Sequence, residues 1–185
     1  MDRKELKKQL AQEKAEKKKK SEALNRLKPL LYSFALWGLM MGIVHIPVIH
    51  DYIQSFFIDF VVNSTVFIGN MLFFSVASNG SPLIQVADFQ MKVIFECTAY
   101  NFYFFAFALA VFGQWSVKDK ILNFLIFILS IFILNAFRFI IMGYIGKYFP
   151  NAFHQIHDYV WTVVFGLTVF ILYIWRNDKS QLQNA

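Results

Sequence analysis

The chain has little of what a soluble enzyme of its size uses. Only 16% of its 185 residues are charged, against about a quarter in ordinary globular domains. A soluble fold of this length cannot hide a sequence that is 57% hydrophobic and carries 23 Phe. There is one cysteine, Cys97, so no disulfide can form within the chain. Neither an HExxH helix nor paired cysteines occur, which leaves the common zinc patterns unfilled. Internal repeats and long linkers are missing too. The first apolar stretch begins near Pro29 without a small-x-small cleavage pattern, and so reads as a retained anchor rather than a removed signal peptide.

What charge there is sits at one end. Residues 1–28 hold eleven Lys/Arg and five Asp/Glu, a surplus of six that equals the whole-chain net charge of +6. The other 157 residues carry seven of each sign. This tail lacks interleaved aromatics and is diluted by Glu, so no nucleic-acid partner is expected. Glu13–Lys17, Glu16–Lys20 and Glu22–Arg26 have the acid-first i,i+4 spacing that favours a solvated helix. Beside a membrane, the same lysines attract anionic headgroups of the lipid bilayer.

Four segments have the length and apolarity of membrane helices, at about 30–49, 98–116, 120–144 and 158–175. A fifth, 55–76, is interrupted by Asp59, Asn63, Ser64 and Asn70. The tail, the Lys118–Lys120 turn and the Arg176/Lys179 end all belong in the cytoplasm by the positive-inside rule. Four crossings put fifteen Lys/Arg there and leave Lys92 and Lys147 outside, whereas a single crossing by 55–76 would flip two of the three basic segments. So 55–76 reads as an outer-face interfacial or re-entrant helix. Trp115 and Trp175 on the inside, and Tyr52, Tyr148 and Trp161 on the outside, suit the headgroup belts. After the turn residues 78–82, alternation through Ile84, Val86, Met91, Val93 and Phe95 predicts a hairpin turning at Ala87-Asp88. The expected fold is an all-α polytopic membrane protein with a short β-hairpin-like segment. It divides into a basic cytoplasmic tail (1–28), one membrane domain (29–176) and a short cytoplasmic C-terminal tail (177–185).

This topology brings three reactive groups to one depth. Cys97 lies at the outer mouth of the second helix. Arg138 is 18 residues past Lys120, roughly 27 Å up the third helix at 1.5 Å per residue. His157 opens the fourth helix on the same side. An imidazole can take a proton from a thiol and return it to a leaving amine. A fixed cation opposite an acyl oxygen stabilises a tetrahedral oxyanion, and Arg keeps its charge when desolvated. Asn135, one turn before Arg138, is placed to hold the guanidinium or a substrate backbone. Asp158 either orients His157 or caps the helix entrance, the cap being the simpler reading. His154, one turn before His157, is an alternative base. Taken singly, each residue also has a plain role: a small buried thiol, a snorkelling arginine, an interfacial histidine.

The junction FECTAY (95–100), the NAFR of Asn135 to Arg138 and the stretch GKYFPNAFHQIHDYVW from Gly146 to Trp161 resemble the exosortase/archaeosortase family, in its short single-domain exosortase branch. The similarity covers roughly residues 30–175. It implies a polytopic transpeptidase-like enzyme with Cys97 as nucleophile, Arg138 as the family's arginine and His157 as its histidine, without a cofactor or metal. It implies substrates that are exported proteins carrying a C-terminal motif, a transmembrane helix and a basic end, handed on to a surface acceptor. The implied location is the plasma (inner) membrane of a prokaryote, with both termini cytoplasmic and the site on the extracytoplasmic face. One departure is Ala99, where many relatives have Gly; glycine there permits close approach of a helix or substrate. Two other readings compete: a metal site of Glu96, Cys97, His154 and His157, and a non-catalytic membrane assembly or transporter subunit.

Overall fold

The computed structural model describes residues 3–183. A long helix α1 (Arg3–Val44) is followed after two residues by α2 (Pro47–Met71). Three short strands come next, β1 (Val76–Ala77), β2 (Leu83–Val86) and β3 (Phe89–Lys92), then a 3-10 turn at Phe95–Thr98. The helices α3 (Tyr100–Phe112) and α4 (Val117–Tyr148) follow. A run of short turns at 150–160, including α5 (Phe153–Gln155) and a π-helical turn at Ile156–Val160, leads into α6 (Trp161–Gln183). The protein is an all-α polytopic membrane protein with a small antiparallel sheet.

Local chemistry sets the element ends. Pro47, whose missing N–H costs nothing in a first turn, starts α2. Ser116 caps α4 by accepting from the Asp119 N–H while its hydroxyl donates to the Asp119 carboxylate, at 3.2 and 2.6 Å. Within α1, the Ser33 hydroxyl lies between the Pro29 and Ala108 carbonyls at 2.8 and 3.1 Å and ties α1 to α3. The basic tail continues the helix of the first apolar segment without a break at residue 28. Lys17 bonds Glu13 at 2.6 Å as its spacing predicts; the Glu16–Lys20 and Glu22–Arg26 pairs fall outside the described side chains.

The bundle has two distinct ends. Cys97, the sheet and the C-terminal part of α4 lie at one. At the other, Lys120 donates to the Val111 carbonyl at 2.6 Å. There the buried Arg176 is held by Asn123 Oδ1, with Asp119 Oδ1 at 3.8 Å. The basic turn and the basic end of α6 thus share the end from which α1 enters, although Arg176 turns inward instead of reaching out. Trp115 and Trp161 are core side chains, 7% and 8% exposed, not belt residues. Trp115 lies over Gly113, where a Cβ would collide with its ring, and packs near Phe127 and Tyr173, while Trp161 packs on Phe165.

Four helical segments are long and apolar enough to cross a membrane: 27–44, 47–71, 117–148 and 150–178. Their number agrees with the sequence reading, but one member differs. The segment expected at 98–116 is a 13-residue helix, because residues 95–99 are spent on the turn that presents Cys97. The first span stops at Val44, and residues 47–49 belong to α2. Although α2 qualifies by length, both its ends lie at the Cys97 end. His50 packs edge-on against Phe95 at 5.2 Å, and the far end of α2 leads through Gly69, which packs on Val76, to Phe74, 6.2 Å from Tyr144. The helix therefore crosses the bundle obliquely and returns the chain to the end where it began.

The hairpin forms where the alternation puts it, with Val86 opposite Phe89 across Ala87-Asp88. A third strand, β1, joins as Val76 pairs Val86. The sheet sits directly on α4, because Gly143 and Gly146 carry no Cβ: one there would collide with Val86 and with the Phe89 ring. Lys147 closes this contact with a 2.7 Å ion pair to Asp88.

Candidate active site

The chain leaves β3 extended at Ile94 (φ −107°, ψ 164°) and tightens into the Phe95–Thr98 turn. Two bonds hold that turn: the Cys97 N–H to the Ile94 carbonyl at 3.0 Å, and the Thr98 hydroxyl to the Phe95 carbonyl at 2.8 Å. Ala99 then adopts a left-handed conformation (φ 59°, ψ 20°) and α3 starts at Tyr100. Stacking of Phe95 on Tyr100, centroids 3.9 Å apart, braces the reversal from behind. Few residues other than Gly, Asn and Asp visit this region of φ readily, because Cβ crowds the backbone. A glycine at this corner would meet no such crowding.

Arg138 rises from α4 beneath the turn. Its Nη1 donates to the Cys97 carbonyl at 3.3 Å and its Nη2 to His157 Nε2 at 3.0 Å. The guanidinium is buried between the Phe139 and Phe165 rings, each centroid 5.9 Å away. Among the described residues no carboxylate comes within 4 Å of it. A cation held this far from solvent and bonded only to neutral groups is costly unless an anion forms beside it.

His157 sits on the π-helical turn, a feature that tends to occur where a helix is bent to serve a site. Its Nε2 is 3.1 Å from Cys97 Sγ, and its Nδ1 is 2.7 Å from Asp158 Oδ1. An ionised carboxylate only accepts and a guanidinium only donates, so Nδ1 carries the hydrogen and Nε2 presents its lone pair to Arg138. Two donors, the Cys97 thiol and the Arg138 N–H, converge on that single lone pair. Burial pushes the Cys97 thiol above its ordinary range, opposed by the field of Arg138 and by the backbone bond to Ile94. The resting thiol therefore keeps its proton.

The structure brings together Cys97, Arg138, His157 and Asp158. Asp158 bonds the imidazole instead of capping a helix, because the turns before it already continue the helical path. Asn135 touches neither the guanidinium nor the cavity: its Nδ2 donates to the Thr98 carbonyl at 3.4 Å, holding the turn from below. His154 lines the cavity but packs edge-on against Phe153, away from the thiol. Glu96 points out to solvent, and among the described residues no three His, Cys, Asp or Glu side chains gather as a metal set.

A cavity of about 360 Å³ opens over the trio. Its walls are β3 and Ile94 on one side, Phe139 and Met142 of α4 below, and Phe153 to Asp158 opposite. Sequence reasoning did not find two of these parts. Phe153 stacks on His157, centroids 5.9 Å apart and planes 12° from parallel; its i,i+4 spacing was the available signal. On the β3 wall, Gln90 and Lys92 read as the solvated face of a strand, so nothing in its composition marked it.

The family model for the transmembrane exosortase matches residues 24–174. Searches of the curated proteins and of the solved structures find no match. With the match spanning 151 of the 185 residues, the chain belongs to the transmembrane exosortase family.

Proposed function

We propose that the protein is a cysteine transpeptidase that removes a C-terminal sorting signal from exported proteins at the extracytoplasmic face of a prokaryotic plasma membrane. Membership of the exosortase family supports a membrane sorting-enzyme role in general. The observation that carries the specific reading is the convergence of Cys97 Sγ and an Arg138 N–H on one imidazole nitrogen. The orientation rests on the three basic segments lying at the end remote from Cys97, which the positive-inside rule assigns to the cytoplasm.

In this reading the substrate's hydrophobic tail lies beside the enzyme helices and its scissile amide enters the cavity. The Cys97 thiol passes its proton to His157 Nε2 as sulfur bonds to the carbonyl carbon, and the carbonyl electrons move to oxygen. Protonated Nε2 no longer accepts from Arg138. The freed N–H turns to the new oxyanion at the moment the charge appears, in a site dry enough to make that contact strong. Collapse breaks the carbon–nitrogen bond, and the proton on His157 goes to the departing amine, leaving a thioester on Cys97. An acceptor amine, hydroxyl or water then gives its proton to His157 and attacks the thioester. The carbon–sulfur bond breaks, and the proton returns to Cys97.

The test is co-expression with a protein bearing a motif, a transmembrane helix and a basic end. Wild type should release the tail; Cys97→Ala, with normal abundance and folding, should release none and accumulate full-length substrate. Unchanged release by Cys97→Ala rejects the reading and favours a non-catalytic assembly role. Orientation is tested separately by Asp88→Cys in a Cys97→Ala background, which should react with a membrane-impermeant maleimide in cells whose cytoplasmic membrane is intact.

A further inference from the structure

We propose that the substrate binds as a fourth strand on the free edge of β3, held through its main chain, so that the edge delivers the scissile amide to Cys97. This rests on the reading of the protein as a peptide-bond-cleaving enzyme.

The sheet order is β1-β2-β3, so β3 is paired on one side only. Its register fixes which backbone groups are free. The Val93 N–H donates to the Pro82 carbonyl at 2.8 Å, and pairs in an antiparallel ladder alternate between bonded and non-bonded. With Ile84 opposite Met91 and Val86 opposite Phe89, residues 89, 91 and 93 bond to β2. The N–H and C=O groups of Gln90 and Lys92 point the other way. No backbone bond from elsewhere among the described residues meets them.

That unpaired edge faces the cavity. All four residues of β3 line it, none of β2 does, and Cys97 lies at the end reached through Ile94. An exposed strand edge is a template for another chain, and proteins normally blunt or cover it. Here it is left open beside a thiol. Four residues of strand give about 13 Å of edge, long enough for two pairs of main-chain bonds to an extended peptide. The substrate's alternate side chains would then face the apolar floor of Phe139 and Met142, and the intervening ones would face out. Main-chain pairing of this kind gives affinity without sequence, and the floor supplies selectivity at every second position. It also holds the amide extended, the form in which its carbonyl is open to attack.

Proline tests the edge, because it deletes an N–H and is tolerated on the open side of an edge strand. Gln90→Pro and Lys92→Pro should each slow tail release roughly tenfold, the effect of one good hydrogen bond lost. Alkylation of Cys97 by iodoacetamide should stay as in wild type, while Gln90→Ala and Lys92→Ala, which keep the N–H, should each lose clearly less than the proline variant at the same position. The second measurement does not depend on how the proline variants fold. In a Cys97→Ala background, Gln90→Cys is oxidised against substrates carrying one cysteine at successive positions before the cleavage point. Crosslinks should form at every second position. Equal crosslinking at all positions, or losses by the alanine variants as large as by the proline ones, overturns strand addition while leaving the enzyme reading intact. Absence of any Cys97-dependent release by wild type overturns both.

Discussion

Arg138 is hydrogen-bonded to the carbonyl oxygen of Cys97, the residue whose thiol it also faces across His157. One guanidinium thus fixes the nucleophile's backbone and shares its proton acceptor. An ammonium has three donors but on a single nitrogen, and so lacks the planar fork that spans these two acceptors. Arg138→Lys should lower the rate of tail release about 10²- to 10³-fold, the usual cost of removing a preorganised oxyanion donor. Arg138→Ala should be at least as slow. Rates measured on variants whose thermal unfolding has been checked decide the point; near-normal rates for the lysine variant would limit Arg138 to a generic positive field.

The protonated resting thiol has a signature in pH. Burial raises the Cys97 thiol while Arg138 opposes that rise. A raised thiol pKa keeps the proton on sulfur at neutral pH, so alkylation by iodoacetamide should climb through the alkaline range, with a midpoint above that of free cysteine. Removing the opposing charge in Arg138→Ala should move the midpoint higher still. Mass-spectrometric alkylation rates against pH check both; a midpoint below neutrality would mean a preformed thiolate–imidazolium pair instead.

Asp158 and His157 should differ in weight. His157→Ala removes the imidazole that lies 3.1 Å from the thiol to carry its proton, and general acid–base catalysis is worth about 10²–10⁴-fold. The carboxylate of Asp158 is 59% exposed, so water can replace it at Nδ1. Asp158→Ala should cost only about tenfold, mainly in kcat, with substrate binding little changed. Equal losses in the two variants would assign Asp158 a further role at the substrate.

Ala99 carries strain that is removable. Its φ of 59° costs an L residue about 1–2 kcal/mol, and Gly accepts it freely. Ala99→Gly should raise the melting temperature of the detergent-solubilised protein by about 2–4 °C and leave activity intact, whereas the β-branched Ala99→Val should lower both. A fall in melting temperature for the glycine variant would show that the Ala99 methyl, which is buried in the core, contributes more than its backbone costs.

Much of the site could be read without coordinates because depth in a bundle is a matter of counting. The basic segments fix one end, helical rise fixes how far Arg138 stands from Lys120, and Cys97 and His157 fall at span mouths. The hairpin was legible for a similar reason: period-two alternation around Ala87-Asp88 survives as paired strands. Lateral arrangement was not legible. Hydropathy registers how apolar α2 is but not where its ends go, and those depend on Gly69 admitting Val76. Asp158 was harder still, since an acidic residue at a helix entrance has the same sequence whether it caps the backbone or binds the neighbouring imidazole. The open edge of β3 lies wholly in main-chain groups, which composition does not encode.

The π-helical turn at Ile156–Val160 has one more consequence. Such a turn closes i to i+5 bonds, one residue wider than an α-helix needs. Deleting a single residue after His157 in this turn, at 159 or 160, would let 153–183 wind as regular α-helix. It would also swing whatever precedes the deletion by about 100°, the angle of one helical step, and carry the imidazole off the sulfur. A sturdier segment and a functioning one are therefore mutually exclusive at this point of the chain, and the irregular winding is the form that keeps the proton carrier within reach.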